Sequence, residues 1–216
     1  MAKAALQHNR KPDEIRLVVV GKTQPIEAIR STIESGASII GENYIQEART
    51  AFDAIINANI EWHFIGRLQS NKAKYAVRMF DLIHTVDSIK LAEELDKQAA
   101  KISKIQEILV QINISGEETK TGVAPEETVS LVQHIAQLKN LYLKGFMTMP
   151  PFFDDPESAR PYFAALRELR DNINAQSIIG ENLTELSMGM TGDFEAAIAE
   201  GATLVRIGTA IFGQRS

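Results

Sequence analysis

"LVVVGKTQP", residues 17–25, holds the pattern that decides the fold. Leu17, Val18, Val19 and Val20 are apolar at every position, so the segment reads as a fully buried strand of the kind found in parallel sheets. Gly21 ends it. Pro25 then opens the amphipathic stretch "PIEAIRSTIESG" (25–36), where proline suits a first helical turn and Gly36 a C-terminal cap. A buried strand thus passes directly toward a helix with Lys22 at the joint, and an ammonium group there needs a reason.

The same unit recurs along the chain. Candidate strands are "LVVVGK" (17–22), "SIIGEN" (38–43), "EWHFIG" (61–66), "DLIHTV" (81–86), "EILVQINI" (107–114), "YLKGFMT" (142–148), "TELSM" (184–188) and "LVRIG" (204–208). Helical patterns lie between them. "DSIKLAEELDKQAAK" (87–101) has Asp87 or Ser88 as N-cap, and "PEETVSLVQHIAQLKN" (125–140) starts with Pro125 and two carboxylates suited to the positive end of a helix dipole. Eight strand–helix units without a linker predict an α/β fold, a single (β/α)8 TIM barrel forming one domain over residues 1–216. A doubly wound open sheet is the structural alternative. Its glycine fingerprint G-x-G-x-x-G is missing, and "GKT" (21–23) lacks the upstream glycine of a nucleotide phosphate loop.

Composition excludes several functions. There is no cysteine, so disulfides, thiolate metal sites and cysteine nucleophiles are ruled out together. The four histidines, His8, His63, His84 and His134, show no metal-ligand spacing, and no metal is expected. A net charge of −5 without a long basic run gives no footprint for nucleic acid. No apolar run approaches the roughly 20 residues of a membrane helix, and "MAKAALQHNRKPDEIRL" lacks the apolar middle of a secretory signal. A cytoplasmic protein with a small-molecule partner is the expectation.

In a barrel of this kind chemistry sits at the C-terminal ends of the strands, with phosphate often held after strands seven and eight. "SMGMTGDFEAAI" (187–198) and "RIGTAIFG" (206–213) follow those strands, each supplying glycine and threonine before a helix. Barrel closure makes strand eight the neighbour of strand one, so Lys22 should look across the mouth toward Gly208 and Thr209. A partly desolvated lysine beside an anion site suits an imine with a phosphorylated carbonyl compound, and pyridoxal phosphate is the obvious candidate. Two other readings use the same residues: Lys22 merely snorkels to solvent, or it forms an aldolase-type imine with a phosphosugar.

The blocks "LVVVGKTQP", "IIGENYIQEA", "EWHFIGRLQSNKAK", "LIHTVDS", "LVQINISGEETKTGV", "GFMTMPP" and "ELSMGMTGDFEAAIAEGATLVRIGTAIFG" together resemble the pyridoxal-phosphate homeostasis proteins, over nearly the whole chain from about residue 11. The resemblance implies a barrel like the N-terminal domain of alanine racemase. It implies pyridoxal 5'-phosphate carried covalently, as a Schiff base, on Lys22. On the phosphate side it implies Ser187, Gly189, Thr191, Gly208 and Thr209, and it sets Arg206 against the pyridine nitrogen. Asn43 and His63 match positions at strand ends that line the cofactor pocket in the family. The implied role is storage or delivery of the cofactor, possible recipients being pyridoxal-phosphate-dependent apoenzymes, by a monomer that is not an enzyme.

An amino-acid racemase or decarboxylase is the runner-up. In the racemases the second base is a tyrosine from an additional C-terminal β domain, and such a domain is not expected here because Ser216 follows shortly after strand eight. Two departures from the family pattern stand out. Gly21 replaces the usual serine before the lysine, and the helix before strand one is shorter, so cover at the barrel base is expected to be reduced or absent. Met147 and Met149 in "FMTMPP" read as packing, His63 as either a core histidine or a cofactor contact, and Asp193 and Glu195 as helix-dipole partners.

Overall fold

The structure, a computed structural model, describes residues 1–55, 59–117 and 119–213. A short helix α1 (Ala2–Gln7) precedes the first strand, β1 (Arg16–Val20). There follow α2 (Ile26–Glu34), β2 (Ile39–Glu42), α3 (Ile45–Ala54), β3 (Glu61–Phe64), α4 (Ala73–Met79), β4 (Leu82–Val86) and α5 (Ile89–Ala100). The second half holds β5 (Gln106–Gln111), α6 (Thr128–Ile135), β6 (Leu141–Met147), α7 (Arg160–Ala175), β7 (Glu185–Ser187), α8 (Phe194–Ala199), β8 (Leu204–Ile207) and α9 (Thr209–Phe212). The eight strands pair in parallel and in sequence order, and β8 closes on β1 with Val18 opposite Arg206. This is the expected (β/α)8 barrel rather than an open sheet.

Local chemistry explains the boundaries. Beyond α2, Gly36 takes a φ of 101° that only glycine adopts freely, its amide bonds to Ile33 O, and the Ala37 amide reaches back to Thr32 O. That pair of bonds ends the helix and turns the chain into β2. Pro25 stands just outside the helix, as its N-cap, and Ser88 rather than Asp87 caps α5 by accepting from the Leu91 amide at 3.4 Å. Pro125–Glu127 forms a 3-10 turn that leads into α6.

Strand parity sorts the side chains into two cores. Val18, Ile39, Ile65, Leu82, Leu109, Met147 and Leu204 fill the barrel, with Val20 packed on them. Ile40, Trp62, Phe64, Ile83, Ile108 and Val205 face the helices in the larger outer core. Met147 is therefore packing, as its sequence context suggests. Cover at the barrel base is present: α1 buries Ala4 and Ala5, and Arg10 donates to Ile198 O in the last turn of α8 and to Ala202 O just beyond it. Among the described residues no helix is long and apolar enough to cross a membrane.

Candidate functional site at the barrel mouth

Lys22 sits on a tight turn that closes when the Gln24 amide bonds to Gly21 O at 3.0 Å. The third residue of that turn, Thr23, has a φ of 61°, an unfavourable left-handed value for a β-branched residue. The Glu47 carboxylate holds it there by accepting from the Thr23 amide at 3.0 Å. A strained turn is thus fixed from α3, and Lys22 is presented at the end of β1 instead of continuing the strand.

A cavity of about 360 Å³ opens beside it, lined by Lys22, Thr191, Gly192, Arg206, Gly208 and Thr209, with Pro150, Pro151, Phe152, Phe153 and Phe212 as apolar walls. The Lys22–Gly208–Thr209 arrangement expected from barrel closure is present. Gly208 has a steric reason: a Cβ there would lie 3.3 Å from Val20 Cβ, so glycine lets the β8 turn press against β1. Gly189 takes a φ of 89°, accepts from the Arg206 amide at 3.0 Å, and leaves no room for a Cβ against Ala197. Asp193 ties the loop by accepting from the Met190 amide at 2.6 Å. Among the described residues, the Thr191, Gly192 and Thr209 amides donate to no protein acceptor, which leaves three N–H groups for a ligand.

Arg206 forms the floor. Only 4% exposed, it donates to Ser187 Oγ at 2.5 Å and to Thr148 O at 2.9 Å. Among the described residues no carboxylate lies within ion-pair distance of it. Burial pushes its pKa down to about 10, with Asp193 opposing from a distance.

Beneath the floor a chain of polar side chains continues down the barrel axis. Ser187 Oγ lies 2.8 Å from His84 Nδ1, His84 Nε2 lies 3.0 Å from His63 Nδ1, and His63 Nε2 lies 3.3 Å from Glu61 Oε2 at the base. Burial lowers the pKa of both histidines, His84 well below its ordinary value because His63 and Arg206 add to the effect; Glu61 partly opposes the shift at His63. The hydrogen bond from His63, and after burial is offset the nearby Arg16 and Lys144, lower Glu61.

The sequence-derived residues therefore separate by layer. Lys22, Thr191, Arg206, Gly208 and Thr209 line one cavity, Gly189 shapes its loop, and Ser187 stands one hydrogen bond behind Arg206. His63 is a fully buried axial residue below the cavity, because the inward parity of β3 places it one layer down from Ile65. Asn43 is also outside the lining; its backbone passes so close to Gly66 that a Cβ there would meet Asn43 O at 2.1 Å. His84 and Glu61 were missed, although the alternation Leu82–His84 and Glu61–His63–Ile65 carries the parity that finds them.

The family model "Alanine racemase, N-terminal domain" matches residues 4–216. The pyridoxal phosphate homeostasis protein of Aquifex aeolicus is 45% identical over 213 residues, 99% of this chain and 92% of that protein. The chain belongs to the pyridoxal phosphate homeostasis protein family. The Escherichia coli member is 40% identical over 220 residues, 100% of this chain and 92% of its own length. A solved structure of PipY from Synechococcus elongatus with PLP bound superimposes with a TM-score of 0.86 at 34% identity, covering 98% of this chain and 99% of PipY. In this member of the family, the cavity at the barrel mouth is where a lysine, a cluster of backbone amides without protein acceptors among the described residues, and a buried guanidinium meet.

Proposed function

We propose that this cavity binds pyridoxal 5'-phosphate, held covalently through Lys22, and that the protein stores or delivers the cofactor without turning over amino acids. The observation that carries the reading is the convergence of Lys22, Thr191, Gly208, Thr209 and a carboxylate-free Arg206 on one cavity. The residues fit the group. Amides and hydroxyls at Thr191 and Thr209 suit a phosphate, the glycine at 208 lets backbone approach, and the aromatic and proline walls suit a flat ring. The PipY likeness, with PLP in that protein, supports the choice over a phosphosugar.

Bound pyridoxal phosphate supplies a carbonyl carbon and a ring that withdraws electrons strongly when its nitrogen is protonated. Arg206 bears on the second property. A guanidinium donates hydrogen bonds and accepts none, so its charge beside the ring nitrogen disfavours protonation there. Restrained chemistry is consistent with relatives named for homeostasis. The same reading covers a cytoplasmic monomer that hands its cofactor to apoenzymes.

The test is borohydride reduction of the loaded protein followed by peptide mass analysis. The adduct is expected on Lys22 and lost in Lys22→Ala; an adduct on another lysine overturns the assignment. Solvent deuterium exchange at Cα of L-alanine checks the absence of turnover. Exchange that is fast and depends on Lys22 would make the protein a racemase-type catalyst.

A further inference from the structure

The axial chain has a property that no single contact shows: both of its ends fix the direction of every hydrogen within it. At the base, an ionised Glu61 can only accept, so His63 donates from Nε2. A neutral His63 then has a bare Nδ1, which accepts from His84 Nε2–H. His84 in turn has a bare Nδ1, which accepts the Ser187 hydroxyl hydrogen. The Ser187 oxygen keeps its lone pairs for Arg206, which can only donate. Four hydrogen bonds are therefore satisfied by one ordering, with both rings in the Nε2–H form and all hydrogens pointing toward the base. In a dry interior, bonds so aligned polarise one another.

We propose that Glu61 is the remote counter-charge of Arg206, and that His63, His84 and Ser187 are positioning residues which transmit that charge along the barrel axis through a single ordering of their hydrogens. A buried guanidinium without a carboxylate contact is costly, and the ordered chain gives it access to a carboxylate at the far end of the barrel. Solvent reaches Glu61, whose side chain is 53% exposed, while both rings are sealed. The barrel thus carries a sensor outside and its reader at the mouth. The chain is a property of these residues alone and does not depend on which ligand the mouth holds.

Discharging Glu61 lifts the constraint in a balanced way. Glu61 takes one proton from the solvent that reaches it and becomes a carboxylic acid, which can donate to His63 Nε2 as well as accept from it. Each ring can then carry its single hydrogen on either nitrogen while staying neutral, and Arg206 keeps all of its protons. The other charged groups acting on the chain are Arg16 from β1, Asp81 before β4, Lys144 from β6 and Arg206 from β8. Of these, Arg206 is bonded into the chain at the mouth, as Glu61 is at the base, and the others act through space.

The decisive measurement is 15N NMR of the histidine side chains in the full chain at neutral pH, in wild type, Glu61→Gln and Glu185→Gln. Wild type is expected to show His63 and His84 neutral with hydrogen on Nε2 alone. Glu61→Gln, whose amide can donate or accept, should let both rings sample the Nδ1–H form together and shift the Arg206 guanidinium signals. Glu185→Gln removes the same charge from the base outside the chain and should leave the order intact. A charged ring in wild type, an unchanged order in Glu61→Gln, or the same scrambling in Glu185→Gln overturns the proposal.

Discussion

Two arginines point into the barrel from adjacent strands, one toward each end of the axis, and the protein treats them in opposite ways. Arg16, at the base on β1, is about a third exposed and sits against two carboxylates, Glu185 at 2.8 Å and Glu61 at 3.6 Å. Arg206, at the mouth on β8, is buried, and among the described residues its hydrogen bonds go to neutral oxygens of Ser187 and Thr148. A partly solvated pair ties strands together at small cost. A guanidinium buried without a direct counter-ion serves stability poorly. The difference separates a structural tie from a group kept available for a ligand, and it can be broken experimentally.

If Arg206 is held for the ring, the phosphate must rest on other donors. Replacing Thr191 and Thr209 together by valine is the largest expected change. Each lost hydrogen bond to a charged group costs about 1.5–3 kcal/mol, so the pair should weaken pyridoxal phosphate binding by about 3–6 kcal/mol in equilibrium titration. Affinity retained in the double variant would move the phosphate elsewhere in the cavity. The arginines themselves come next. Arg16→Met leaves Glu185, whose side chain is 13% exposed, without its cation; it should cost about 2–3 kcal/mol in denaturant unfolding and leave cofactor affinity unchanged. Arg206→Met should show the reverse. Relief of a buried charge offsets the oxygens left without a donor, so stability should move by under about 2 kcal/mol while affinity falls at least about tenfold. Equal effects of the two substitutions on binding would erase the distinction.

The two arginines also show what was legible in the sequence. The cavity residues were legible because strand ends, glycines and closure of β8 on β1 are local or topological signals, and these place Lys22 opposite Gly208 and Thr209. The axial chain was not. His63 and His84 lie 21 residues apart, and their contact depends on the stagger between β3 and β4, where His63 pairs with Leu82 rather than His84. Parity says that each ring points inward, but only stagger says that they meet. Glu42 was illegible for a related reason. It ends β2 on the outer face, where the helices bury it to 1% exposure and leave Oε2 without a hydrogen-bond partner.

That carboxyl extends the contrast to an acid. Burial, with Glu47 adding repulsion, pushes the Glu42 pKa up from 4.5 to about 7. The folded state therefore prefers the neutral acid. The stability associated with that preference is complete below the unfolded value of 4.5 and is lost as the pH rises through about 7, by about 3 kcal/mol in full. Glu42→Gln keeps the shape without the charge, so it should equal wild type in denaturant unfolding near pH ~4.5 and exceed it by up to about 3 kcal/mol near pH ~8.5. A difference that does not grow with pH would mean the carboxyl is ionised in the fold with a partner of its own.

The smallest expected effect lies at Gly21, the neighbour of both Glu42 and Lys22. A Cβ added there would stand 2.6 Å from Glu42 Oε1 and 3.3 Å from Ile29 Cδ1 and Ile40 Cγ2. Glycine and buried carboxyl thus share one small space, which gives a physical reason for glycine at this position. The Glu42 carboxyl ends a rotatable chain and can swing aside, so the clash alone should cost about 1 kcal/mol or less. Serine and alanine add the same Cβ, but serine also brings a hydroxyl donor next to a carboxyl that a backbone hydrogen bond from Asn43 only partly compensates and whose Oε2 has no partner among the described residues. A donor to the ionised form lowers a carboxyl pKa. Gly21→Ser should therefore bring the Glu42 value down toward the ordinary range and recover stability at alkaline pH, whereas Gly21→Ala should show only the clash. Lys22 stays on its turn in both, since the Gly21 amide bonds to Gly41 O and its carbonyl to Gln24 without needing a glycine φ. Unfolding of the two variants across pH, with the carbonyl-carbon NMR signal of Glu42 as the direct readout, checks the difference; identical behaviour of serine and alanine would show that Glu42 moves out of reach and does not take up the new donor.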